Sequence, residues 1–248
     1  MKNPFREHII ELFKRIIELR HHSNRINLVL KKDAEKYTKE GAQFYSGSSL
    51  IISDWTGPTD NGWEINFHTG ISKFTEKEDY SNEIEKIISR ECCLAFAQSF
   101  EALEKFLKDC AFEIMKKDGN DPIREKIYGG DQIYKYIRKS CGEEFLNFSK
   151  ENNKNIHFKE FWTTISETRH AIVHSSCRLK NDKVSKSRDH FATFEYLFDY
   201  EKLGDDKLLI KLSYRQLDKI LKHVAEFAYQ IFKLIRLVRT GLKTLFDF

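Results

Sequence analysis

The chain of 248 residues sets 42 Lys and Arg against 38 Asp and Glu, a net charge of +4, with 40% hydrophobic and 13% aromatic residues and a mean hydropathy of −0.56. That composition supplies a sizeable core and a well-solvated surface, and its 3 Pro argue against collagen-like or long disordered segments. The mild positive charge permits a nucleic-acid partner without demanding one.

The opening, MKNPFREHIIELFKRIIELR, interleaves charged and apolar residues too closely for a signal peptide, and nowhere do about 18 apolar residues run together. The expectation is a soluble, cytoplasmic protein with no membrane partner. From Pro4 to about Leu30, apolar residues at Ile9, Leu12, Phe13, Ile16, Ile17 and Leu19 describe an amphipathic helix. Between Gly41 and Ser81 the character changes to Gly, Ser and aromatics. Two apolar runs, Leu50 to Trp55 and Trp63 to Phe67, flank GPTDNG and predict a small β-hairpin. Trp55 and Trp63 suit burial of that hairpin, with base stacking as the alternative.

Asn82 and Glu85 have capping-box spacing, and the stripe Ile84, Ile88, Cys92, Ala95, Ser99, Leu103, Phe106, Cys110 and Ile114 predicts a long helix that Gly119 ends. A shorter helix is expected from Asp131 to Cys141, stopped by Gly142, and another from Phe158 to about Cys177. RLKNDKVSKSRDH reads as a basic polar loop, HFATFEYLFDY fits a strand or a short helix, and LLIKLSY fits a short strand. A last helix runs from Tyr214 to about Phe246. Five Cys, an odd number without a C-x-x-C pair, read as reduced residues, with Cys92, Cys110 and Cys177 in helical patterns. The organisation is therefore a helical segment over 1–45, a Gly- and aromatic-rich insert over 46–80, and a helical bundle over 81–248.

The stretch ETRHAIVHSSCRLK, Glu167 to Lys180, carries the chemistry. At about 100° per residue, Phe158, Phe161, Trp162, Ile165, Ile172 and Val173 form one apolar stripe, and Arg169 falls within it. A guanidinium there cannot shed its proton, so it needs a carboxylate, carbonyls, an anionic ligand or a solvent-filled cleft. Glu91 and Glu101 on the long helix are both available, and the sequence does not choose between them. His174 lies five residues on, about 140° round the helix, so one straight helix does not aim Arg169 and His174 at one point. His170 and His174 do share a face, with Glu167 near it. Zinc is disfavoured, because the H-x-x-x-H pair has neither a following general-base Glu nor an evident third ligand. A structural ion pair and two surface histidines remain the plain alternative. Beyond the motif, Arg178, Lys180, Lys183, Lys186 and Arg188 suit either RNA phosphates or a solvated basic loop.

Arg169, His170 and His174 resemble the motif of the HEPN superfamily, an arginine, four to six residues and a histidine, with a polar residue after the arginine. AFAQSFEALEKFLKD is similar to that family's long bundle helix, and LLIKLSYRQLDKILKHVAEF to its closing extended segment and final helix. The resemblance spans Ser81 to Phe248, leaving the first 80 residues without a counterpart. It implies a mainly α fold, a HEPN-like bundle of four to five core helices to which the N-terminal helix and β-hairpin insert are added. It also implies a metal-independent endoribonuclease with no cofactor, working at a composite homodimer site in a defence or toxin–antitoxin setting, with RNA and an antitoxin or sensor protein as partners. In that scheme His174 is general acid or base, Arg169 holds the phosphate and His170 orients or polarises. Some family toxins carry a modifiable tyrosine two residues after the histidine; Ser176 stands there, so that regulation is not carried over. A non-catalytic RNA-, nucleotide- or protein-binding module is the alternative.

Overall fold

The computed structural model describes residues 3–53, 66–150, 154, 156–204 and 206–240. The chain divides into two compact units, one of Met1–Arg25 with Ile88–Phe248 and one of Ile26–Ile87. Helix α1, Arg6–Tyr37, and helix α2, Tyr80–Lys117, contribute residues to both.

The larger unit is mainly helical. To parts of α1 and α2 it adds α3, Gly130–Lys150, α4, Phe158–His174, α5, Arg188–Leu197, and α6, Tyr214–Thr240. Its core is built from the periodic stripes: Leu103, Cys110, Ile114, Ile165, Leu217, Ile220, Leu221, Val224 and Ile231 are wholly buried. Each such aliphatic side chain contributes about 1.5–3 kcal/mol by leaving water. Aromatic rings link the helices. Phe100 of α2 lies 5.2 Å from Trp162 of α4, which stacks at 5.6 Å on Tyr134 of α3, and Phe158 of α4 meets Phe227 of α6 edge-on at 5.1 Å. The Trp162 indole N–H donates to Asp131 at 3.2 Å, satisfying the polar atom of an otherwise apolar ring.

A three-stranded antiparallel sheet completes this unit, in the order β3, Arg178–Lys180, then β5, Lys207–Lys211, then β4, Asp199–Lys202. Leu179 pairs with Leu208 and Tyr200 with Ile210, so Leu179, Leu208 and Ile210 turn inward from strands that are otherwise charged.

Several boundaries differ from the sequence reading. Helix α2 begins at Tyr80, fed by a 3-10 turn over Lys77–Asp79, so Asn82 lies inside the helix and forms no capping box. At the expected stop, Gly142 does interrupt the helix: its φ 59°, ψ −142° is non-helical and costly for a residue with a Cβ, and a second helical piece follows it within the α3 span. Helix α4 stops at His174, short of Cys177. The supposed basic loop contains strand β3, a 3-10 turn over Asn181–Lys183 with Val184 fully buried behind it, and the start of α5, where the Ser187 hydroxyl accepts the His190 N–H at 3.1 Å. HFATFEYLFDY holds both of its alternatives in succession, α5 and then β4.

In the smaller unit, strands β1, Gly47–Ser53, and β2, Asn66–Phe74, pair antiparallel from Gly47↔Phe74 to Ser53↔Asn66, with a bulge between Ser49 and Ile51. Trp55, Trp63 and GPTDNG lie outside the described residues. The rings of Tyr37, Phe44 and Tyr80 meet within this unit at 4.7–5.1 Å. The Tyr80 hydroxyl donates to Asp33 at 2.6 Å, a bond that with burial pushes the phenol up to about 12.

Candidate functional site

The buried face of α4 is Phe158, Phe161, Trp162, Thr164, Ile165, Thr168, Ala171 and Ile172. This turns the stripe about 50° round the helix from where the apolar residues alone put it, because two threonines belong to it. Val173 is exposed, and Arg169 sits at the edge of the stripe rather than within it, its side chain 27% exposed. Arg169 Nη2 donates to Glu101 Oε1 of α2 at 3.0 Å, so the structure selects Glu101 over Glu91. The Glu101 side chain is 56% exposed, and a half-exposed pair of this kind contributes about 0–1 kcal/mol. Arg169 Nε, by contrast, is buried with no hydrogen-bond partner among the described residues.

His170 and His174 project from α4 into solvent with ring centroids 4.8 Å apart. Glu167 lies on the same side by its i, i+3, i+7 spacing. Its carboxylate draws in Lys183 at 4.0 Å and Lys186 at 3.9 Å, which brings part of the basic segment to the flank of the histidines. Arg178 and Lys180 point outward from β3 on either side of buried Leu179, and Arg188 is exposed at the start of α5. The end of α4 thus has two flanks, Arg169 facing α2 and the histidines facing the basic segment. No hydrogen bond or ion pair joins Arg169 to His174 among the described residues, in keeping with their angular separation on the helix.

The chain leaves α4 through a tight reversal. Ser175 and Cys177 both donate their N–H groups to the Ala171 carbonyl, at 3.0 and 3.1 Å, and Ser176 and Cys177 adopt φ of 49° and 64°. Two successive non-glycine residues in the left-handed region cost about 1–2 kcal/mol each, and the turn delivers the chain directly to β3. The Cys177 carbonyl accepts the Ile210 N–H at 2.9 Å, tying the turn to β5.

A second constellation was not singled out from the sequence. His223 of α6 is nearly buried, with Nε2 3.1 Å from the Tyr196 hydroxyl and Nδ1 2.9 Å from Glu226. It borders a groove of about 220 Å³ floored by Phe158, Phe161 and Phe227. Desolvation lowers the His223 pKa below its ordinary value, against the opposing pull of Glu226. His190 is likewise buried and lowered, chiefly by desolvation, and its Nε2 has no partner among the described residues. Nothing in a one-dimensional pattern pairs Tyr196 with His223, 27 residues apart; the α5–β4–β5 excursion makes that contact.

Among the described residues no three His, Cys, Asp or Glu side chains gather into a metal-binding group, and no helix is long and apolar enough to cross a membrane. Comparison with family models, curated proteins and solved structures gives no match.

Proposed function

We propose that this protein is a metal-independent endoribonuclease of the HEPN type, acting on RNA at a composite site formed by two copies of the chain, in a defence or toxin–antitoxin setting. The observation that carries the reading is the arrangement at the end of α4: two exposed imidazoles side by side on one flank, and on the other an arginine paired with a half-exposed carboxylate. An RNA phosphate is a planar-fork partner for Arg169 at least as good as Glu101, so substrate displaces the carboxylate and gains a bidentate contact. The ribose 2′-hydroxyl attacks the adjacent phosphorus, the bond to the 5′-oxygen breaks, and a 2′,3′-cyclic phosphate and a 5′-hydroxyl result. His174 takes or supplies the proton in that step, as an imidazole can at neutral pH. Arg169 holds the charge that builds on the phosphoryl oxygens, and His170 orients or polarises. Arg169 and His174 lie on different flanks of one helix, so the complement of each comes from the second copy. Lys183 and Lys186, with Arg178, Lys180 and Arg188, provide contacts to flanking phosphates.

The Arg169–Glu101 ion pair favours a second reading, a non-catalytic module that binds RNA, a nucleotide or a protein on the same surface. One experiment separates the two. Purified protein is incubated with mixed RNA in EDTA beside Arg169→Ala and His174→Ala. Cleavage by the unaltered chain alone, leaving 5′-hydroxyl ends, supports the ribonuclease. Equal cleavage by all three, or none, overturns it, and binding without cleavage then supports the module.

A further inference from the structure

Strands β1 and β2 of the smaller unit form a sheet of two strands, so each has an outer edge with no partner strand among the described residues. The two edges differ. Between the pairs Ser49↔Ser72 and Ile51↔His68, Thr69, Gly70 and Ile71 of β2 oppose Leu50 alone, a bulge that takes Gly70 to φ 75° and breaks the run of β2. Strand β2 also carries His68 and Lys73, and bulges and lysines are devices that keep an edge from pairing. Strand β1 has neither. No charged residue occurs from Gly41 to Ser53, in a chain of which 32% is charged. At its centre Leu50, Ile51 and Ile52 are 54%, 54% and 40% exposed. Phe67, Ile71 and Phe74 of β2 are exposed as well. At about 150–200 Å² for a whole side chain, these residues together leave roughly 600 Å² of apolar surface open, the upper end of what a monomer shows and most of the roughly 800 Å² that each partner of a stable complex buries.

We propose that β1 is a self-complementary edge, to which a second copy of this chain adds its own β1 antiparallel, making a four-stranded sheet about a two-fold axis at Leu50. The Thr69 hydroxyl donates to the Leu50 carbonyl at 2.9 Å, so Leu50 turns its backbone toward β2, and by alternation Ser49 and Ile51 turn theirs outward. Leu50 is the middle of the seven residues of β1. With the axis there, Ser49 of one copy exchanges N–H and C=O bonds with Ile51 of the other, and outward groups meet outward groups. Leu50 then faces its own copy in a non-hydrogen-bonded pair, where side chains approach most closely. Leu50, Ile52 and Phe67 share one face of the hairpin and join those of the second copy in one apolar strip. A strand without charges offers no pattern by which to select an oppositely charged partner, whereas its symmetry about Leu50 selects itself. The bulged β2 edges stay outside, so the assembly closes at two. Strand β1 belongs to the smaller unit and α4 to the larger, and the inference does not rest on RNA cleavage.

The test uses the full chain. Sedimentation velocity from low to high micromolar concentration should show a reversible monomer–dimer equilibrium and no larger species. Hydrogen–deuterium exchange at the same concentrations should show the amides of Ser49 and Ile51 slowing as the dimer forms, while those of the β2 bulge do not. Leu50→Lys, which sets two ammonium groups opposite each other at the axis, should abolish both effects, and Ile71→Lys on β2 should leave them unchanged. Exchange in the unaltered chain keeps the test decisive even if a variant folds poorly. A chain that stays monomeric, a series of growing oligomers, or a dimer in which Ser49 and Ile51 exchange as fast as in the monomer overturns the proposal. The last of these would put the dimer contact elsewhere and leave the ribonuclease reading standing; protected β1 amides in a dimer that cleaves no RNA would do the opposite.

Discussion

His170 and His174 stand exposed at the end of α4, each beside the other. His223 on α6 has both ring nitrogens engaged, by Tyr196 and Glu226, and almost no contact with solvent. The same side chain therefore serves two ends in one unit. Where partners occupy both nitrogens, the ring is a polar brace whose proton is costly to add; where neither has a partner among the described residues, it is available to a ligand. Motif spacing points to the first pair, and only the folded chain shows that the second exists. Exposure, more than the presence of histidine, separates a surface that can exchange protons with a substrate from one that is already satisfied.

The largest expected effect sharpens this contrast directly. If the α4 end is the ribonuclease site, His174→Ala and Arg169→Ala each lower RNA cleavage by about 100- to 10,000-fold while leaving the urea unfolding midpoint almost unchanged, since both positions are partly open to water. His223→Ala should do the reverse, lowering stability by about 1–3 kcal/mol through lost packing and a broken network with little change in cleavage per folded molecule. A variant pair that failed to separate in this way would end the division of roles.

The buried rings also predict a pH dependence. Folding lowers His223 and His190 below the ordinary value of 6.5, so at acid pH the unfolded chain binds more protons than the folded one. Above that value both states are neutral at these rings and their contribution is intact; as pH falls from about 6.5 through the lower folded values, stability is lost. Unfolding midpoints measured between pH 8 and pH 5 should show the decline, and His223→Gln should make it shallower.

Smaller effects belong to the open flank. Replacing Lys183 and Lys186 together by Ala should weaken RNA binding uniformly across sequences and reduce the slope of log affinity against log salt by about one to two. Glu101→Gln should change stability by less than about 1 kcal/mol and, by releasing Arg169, should tighten RNA binding rather than weaken it. Weaker binding would mean that Glu101 positions the arginine instead of competing with phosphate.

Much of the helical framework is legible in the chain, and for a single reason: stripes such as Leu103, Phe106, Cys110 and Ile114, or Leu217, Ile220, Leu221 and Val224, repeat often enough to define a face. Ends and short elements are legible much less well. Strand β3 is three residues long with one inward leucine, too short to show alternation, and it was hidden among lysines. Gly142 breaks the helix as its sequence position indicates, but the second helical piece that follows it lacks a pattern strong enough to announce itself. At the candidate site, the separation of Arg169 from His174 follows from helix geometry alone. The choice of Glu101 and the inward position of Thr164 and Thr168 depend on how the helices pack, which periodicity does not encode.

The stacked arrangement of Trp162 on Tyr134, with the indole N–H bound to Asp131, has a spectroscopic consequence. A ring wholly removed from water emits at shorter wavelength than a hydrated one, and its close aromatic neighbours give it a near-ultraviolet dichroism of fixed sign. Trp162 is held jointly by α2, α3 and α4, so the difference spectrum between the unaltered chain and Trp162→Phe isolates an optical probe of whether those three helices remain locked together. That signal comes from within the core behind the α4 face, and it reports the integrity of the scaffold in the same cuvette in which RNA is being titrated.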